Sequence, residues 1–185
     1  MKQTTVVPHY LDFLDTQRAA LLQTLAGMDH GALWQRPAPD SWSSGEHIDH
    51  ARVLLRSFRR LLQIIWPLQR PYARLRQGRP YPTDIDDVYE RPHFPLSVGW
   101  LWPAQFNAQR TVPLATLAAK LAAEHQAIRA FYSGKDEPTL GNCYLYDPAI
   151  GWLNMLQMLR VGAYHDEHHF RQAKGIWQQP DGRST

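Results

Sequence analysis

The chain has 185 residues, 44% of them hydrophobic and 11% aromatic. That suffices for one substantial core and is short for two, so a single domain over residues 1–185, with its core at about 8–178, is expected. Twenty Lys and Arg against 17 Asp and Glu leave a net charge of +3 and a pI near 9.1, too slight an excess to imply a nucleic-acid partner. The single cysteine, Cys143, excludes an internal disulfide and a paired-thiolate metal site. No apolar run approaches the roughly 18 residues of a membrane span, and the N-terminal stretch lacks a signal-peptide pattern, so a cytoplasmic protein without membrane contact is expected.

The first helix is predicted from about Pro8 to Met28, on the stripe Leu11, Leu14, Leu21, Leu25 and Met28, with Gly31 and the RPAPD segment ending it. Trp42, Ser43, Ser44 and Glu46 announce a second helix, because Ser43 and Glu46 have the spacing of a capping box. His50, Val53, Leu54, Leu61, Ile64 and Ile65 form its expected apolar side, and Asp49, Arg52, Arg56, Arg59 and Gln63 its polar side. Pro67 is expected to break or kink it, since a proline ring removes a backbone donor and crowds the preceding turn.

Residues 67–111 follow as 45 residues with seven prolines and two tryptophans, Trp100 and Trp102. This is far longer than the ~2 to 8 residues that usually join bundle helices, and a crossover of such length lets the second and third helices run parallel. Eight arginines between Arg52 and Arg79 precede the acids Asp84, Asp86, Asp87 and Glu90, so the two stretches are expected to neutralise one another.

The third helix opens at Pro113, buries Leu114, Leu117, Leu121, Ile128 and Tyr132, and stops at Gly134. The fourth is predicted from near Gly151, after the turn at Asp147 and Pro148, to about Trp177. Met155, Met158, Gly162, His165, His169, Ala173 and Ile176 mark its inner side, and Arg160, Glu167, Arg171, Lys174 and Gln178 its outer side. The whole reads as an all-α four-helix bundle.

The chemistry lies in the histidines. His165 and His169 are four apart and so stack on one helix face, as a pair able to reach one cation. His50, inward on the second helix, is the best third ligand. A lone histidine on an apolar face is more often a core residue satisfied by hydrogen bonds, but three inward imidazoles with this spacing also suit a three-histidine metal centre. Glu46 has two possible roles, capping its helix or orienting an imidazole. His47 and His168 point partly off the stripe and are placed at the surface or behind the ligands, with a set using His168 as an alternative. His125 is placed in the core or facing the metal across the bundle, Tyr164 nearer the pocket, and Asp166 and Glu167 on the solvated side. Cys143 is either a reactive loop thiol or, more commonly for such a residue, a small buried hydrophobe.

Trp42, Ser43, Glu46 and His50, followed far downstream by His165, His169 and Gln172, resemble the DinB-like superfamily, and the DPAIG stretch of residues 147–151 is similar to the turn that opens that family's last helix. The resemblance spans roughly Tyr10 to Trp177. It implies an up-down-down-up four-helix bundle with a long crossover between helices two and three. Three histidines (here His50, His165 and His169) would hold a divalent metal, with zinc foremost and nickel, iron or manganese also used, and homodimers are common in the family. Reactions known in the family include thiol transfer with bacillithiol or mycothiol, thiol-dependent isomerisation of maleylpyruvate and a step of ergothioneine biosynthesis.

A metal-dependent thiol S-transferase acting on a small molecule is therefore the leading expectation. A metal-dependent hydrolase and a non-catalytic bundle that captures a small ligand are the alternatives, and nucleic-acid contact through the arginines of residues 52–79 is the weakest reading.

Overall fold

The computed structural model describes residues 5–91 and 112–178. The first helix, α1 (Val6–Thr24), is followed by a single extra turn, α2 (His30–Trp34), and by the long α3 (Ser44–Leu75). A 3-10 turn, Val88–Glu90, precedes the undescribed residues. After them come α4 (Leu114–Tyr132), the short α5 (Glu137–Gly141), strands β1 (Tyr144–Asp147) and β2 (Gly151–Asn154), and the closing α6 (Met155–Gln178). No helix among the described residues is long and apolar enough to cross a membrane.

Helix directions follow from which ends touch. Val7 N–H donates to Glu137 at 2.8 Å, so the start of α1 lies at the end of α4. Trp34, packed on Gly45 at the start of α3, donates from its indole to the Val112 carbonyl at 3.0 Å, while Gln77 just after α3 reaches Thr139 at 2.6 Å, so α3 and α4 run parallel. Ser44 Oγ donates to the Ala173 carbonyl at 2.9 Å, which makes α6 antiparallel to α3. Tyr132 OH donates to the Met155 carbonyl at 2.8 Å and sets α6 antiparallel to α4 as well. The bundle is up-down-down-up, as the parallel second and third helices of the sequence reading require; the part of the crossover from residue 92 to residue 111, with Trp100 and Trp102, lies outside the described residues.

The stripe of α1 is buried as read, including Leu11, Leu14 and Leu21, with Leu25 and Met28 just beyond it. Gly31 is not a stop: Asp29 accepts from Ala32 N–H at 2.8 Å and starts α2 through it. The inner face of α3 is displaced from the expected one. Ile48, Ala51, Leu55 and Leu62 are buried, whereas Leu61 and Ile64 are exposed. Asp49 is buried, not solvated, and accepts from Arg52 Nε at 2.6 Å.

Pro67 does not end the helix. Both Pro67 and Pro71 sit inside α3 on its exposed side, where the carbonyl groups left without a partner by the missing N–H face water. Among the described residues the ion pairs differ from the expected ones: Arg59 bonds Glu124 across the bundle at 3.0 Å, Arg52 bonds Asp49 on its own helix, and Asp84 bonds Arg160 at 2.9 Å.

The fourth long helix starts four residues later than Gly151, because the segment before it is a hairpin. Asp147 accepts from the amides of Ala149 and Ile150 at 2.8 and 3.0 Å, Gly151 takes φ +103, and β1 pairs antiparallel with β2 from Tyr144↔Asn154 to Asp147↔Gly151. Asn154 then caps α6, accepting from Leu156 and Gln157 N–H at 3.0 Å each, while Gln157 reaches back to the Asn154 amide at 3.1 Å.

Two apolar clusters fill the bundle. One, near the hairpin, includes Leu14, Leu55, Leu62, Ile128 and Leu159; the other, near α2, includes Leu21, Ile48, Leu121 and Phe170. Between them the helices carry polar residues: Asp15 and Arg18 on α1, His50 on α3, His125 on α4, and His165 and Asp166 on α6.

Candidate metal centre

The two helix segments that build the site are each fixed by a cap or a clamp close by. Ser43 Oγ accepts from Glu46 N–H at 3.2 Å, and Glu46 accepts from Ser43 N–H at 2.8 Å, so the capping box is complete. Burial pushes the Glu46 carboxyl up, but the Arg36 guanidinium and the Ser43 donors outweigh it and hold the group at about 2. The structure displays the capping role of Glu46. One turn further on, His47 and His50 point toward α6, whose axis is tied to the start of α3 by the Ser44–Ala173 bond.

His50, His165 and His169 each offer one nitrogen within 4.8 Å of the others. The ring centroids lie 5.1 Å apart for His50 and His165, 4.5 Å for His50 and His169, and 4.4 Å for His165 and His169. His165 Nε2 and His50 Nε2 face one another at 3.2 Å. Two ligand nitrogens ~2.05 Å from a tetrahedral zinc ion would stand about 3.3 Å apart, so this edge already has the spacing of a coordination sphere.

All three are intermediate or buried, and for His50 and His169 the charged form is disfavoured. Burial, then the neighbouring His165 and His47, push the His50 imidazole down to about 3. His169 is pushed down further still, by burial and by four flanking histidines. Neutral imidazole is the form that ligates a metal, so the donor set fits a borderline dication.

His47 is nearer the cluster than the sequence indicated. Its Nδ1 lies 3.0 Å from His169 Nδ1, and burial followed by the His168 charge holds it at about 4. The signal was present: His47 and His50 are three apart on one helix, and such residues are neighbours. His168 stacks on Tyr89 at 5.1 Å, and Tyr89 also sits edge-on to His165 at 5.7 Å. Trp42 covers another side, stacked on His169 at 5.8 Å and edge-on to His50 at 4.8 Å.

Asp166 is not on the solvated face. It is 1% exposed, and His125 Nε2 lies 3.0 Å from its Oδ2. Burial raises its carboxyl, but the His125 and His165 contacts prevail and hold it ionised below the usual range. The sequence did carry this placement. Leu159, Ala163, Asp166, Phe170 and Ala173 form a second inward stripe on α6, beside the one containing the histidines. Glu167 is half-buried, and Gln172, part of the sequence resemblance, is exposed. Tyr164 accepts from Arg160 Nε at 2.8 Å. Cys143 is buried and its thiol is pushed up to about 11 by burial, so it is a core residue and not a nucleophile.

A bundle with this up-down-down-up connectivity and three imidazoles converging from its second and last long helices defines a recognisable class. The chain belongs to the DinB superfamily, whose profile matches residues 14–173. Among solved structures it is similar to YfiT from Bacillus subtilis, described as a probable metal-dependent hydrolase with an unusual four-helix bundle topology. The two share 13% sequence identity over 97% of this chain and 91% of that one, with a TM-score of 0.59. That likeness shows the fold. No curated protein matches the chain.

Proposed function

We propose that this protein is a divalent-metal-dependent enzyme, in which His50, His165 and His169 hold the ion and a small-molecule electrophile is attacked by a low-molecular-weight thiol. The observation that carries the reading is the convergence of three imidazole nitrogens within 4.8 Å. A dication bound by three neutral imidazoles keeps its charge and an open position, and so lowers the pKa of a thiol or water placed there. The protein's own contribution is to keep His50 and His169 neutral through burial and to wall the site with Trp42 and Tyr89. Zinc is the proposed ion. The reading includes a single-domain chain in the cytoplasm that pairs as a homodimer, for which the exposed row Leu61, Ile64, Leu68, Tyr72 and Leu75 on α3 offers an apolar face.

Incubation of the zinc-loaded protein with bacillithiol, mycothiol or glutathione and a chromogenic electrophile tests the proposal. Thiol-dependent turnover that disappears in His169→Ala is expected, and no turnover with any thiol removes the transferase. A second reading, hydrolysis with water in place of thiol, is favoured by the description of YfiT. Ester or amide cleavage that persists without thiol selects it, and equilibrium ligand binding without turnover selects a non-catalytic role.

A further inference from the structure

Between the two apolar clusters, a line of polar groups runs across the bundle toward the candidate centre. His125, from α4, is 2% exposed and lies with Nε2 3.0 Å from Asp166 Oδ2. Asp166 Oδ1 has no hydrogen-bond partner among the described residues and stands 3.6 Å from His165 Nδ1. His165 turns its other nitrogen, Nε2, toward His50. A carboxyl group so deeply buried is costly unless donor groups answer its oxygens. Here no lysine or arginine among the described residues pairs with Asp166; its neighbours are two imidazoles.

We infer that Asp166 and His125 are positioning residues for the metal centre: Asp166 accepts a hydrogen bond from His165 Nδ1–H, which commits Nε2 to the ion, and His125 holds the carboxylate in place from across the bundle. This rests on the reading of His165 as a ligand. The sequence of groups is imidazole, carboxylate, imidazole, ion. Its logic is that a ligating histidine whose outer N–H is held by a carboxylate has a fixed tautomer and ring orientation and is a better donor. Closing the 3.6 Å gap to hydrogen-bond length needs only a small rotation of the Asp166 carboxylate or of the His165 ring about its own side-chain bonds. The other α6 histidine is backed differently, since His169 Nδ1 meets the ring of His47. The two ligands of the HxxxH pair thus have unequal supports, a carboxyl group and an imidazole.

The test is cobalt(II) binding, read both as affinity by competition with a chromophoric chelator and as the visible absorption of the bound ion. Asp166→Asn should weaken affinity roughly 10- to 100-fold and alter the absorption band, while the metal-free protein keeps its helical circular dichroism. His125→Gln, whose amide N–H can still donate to Asp166, should stay within a few-fold of the parent, and His125→Leu should fall with Asp166→Asn. If Asp166→Asn does not fold, the two His125 variants decide the question by themselves. Affinity in Asp166→Asn and His125→Leu equal to the parent overturns the inference while leaving the three-imidazole site standing. Absence of cobalt binding in the parent chain overturns that site and, with it, this role for Asp166.

Discussion

His169 has burial and four other imidazoles acting against its protonation, and it stacks on Trp42 while its Nδ1 meets His47. Replacing it leaves His50 and His165 as a two-nitrogen site, so His169→Ala is expected to lose most bound metal, as measured by elemental analysis of protein purified beside the parent. Unchanged stoichiometry would remove His169 from the ligand set. At Glu46 the stake is stability. Its carboxyl titrates at about 2 in the folded chain against 4.5 when free, so the stabilisation is complete above about pH 4.5 and is lost as pH falls toward 2. Glu46→Gln should cost about 1–2 kcal/mol at neutral pH in a denaturant titration, and its stability should fall less than the parent's between pH 4.5 and 2. The capping role was legible because Ser43 and Glu46 are three apart. The ion pair with Arg36, ten residues upstream, was not, since no local period links them.

Helix α3 is the element where local propensity and the fold disagree. A proline in a helix interior costs ~3 kcal/mol, and Pro67 is nevertheless carried through because the turn on either side is held by the packing of Leu62 and Ala73. Pro67→Ala should therefore raise stability by about 2 kcal/mol in chemical denaturation, after allowing for the greater freedom of the unfolded chain. A loss of stability would mean that the ring itself is needed. The opposite constraint operates at Gly45, where an added Cβ would come within 2.8 Å of the Trp34 ring, which its indole bond to Val112 prevents from moving freely. Gly45→Ala is expected to cost about 1–3 kcal/mol in the same measurement. Sequence periodicity placed the helices of the bundle and their stripes on α1, α4 and the histidine side of α6. It missed the hairpin, because four-residue strands are too short to set a period, and it misplaced the face of α3, because that helix has apolar residues on two sides.

For the molecule as a whole, an ion at the centre would join α3 to α6 and bind only the folded chain. Zinc at one hundred times its dissociation constant should add about 2.7 kcal/mol, or roughly 5–10 °C in thermal midpoint for a chain of this size. EDTA should reverse the rise, and a variant lacking His50 and His169 should show none; an equal rise in that variant would place the ion elsewhere. The bundle and the His165–His169 pair were readable from the sequence because each repeats at helical spacing, whereas His50 was read from an inner face of α3 that the structure displaces. The polar layer that crosses all the long helices was not, since it is assembled from one or two residues per helix whose alignment exists only after folding. Trp42 gives this arrangement an optical consequence. An indole in van der Waals range of His50 and His169 has its fluorescence quenched when a paramagnetic ion such as cobalt(II) occupies their shared space, and not when zinc does. The cobalt-induced quenching that the parent shows and Trp42→Phe does not therefore reports occupancy of the site from within the protein, without any added dye.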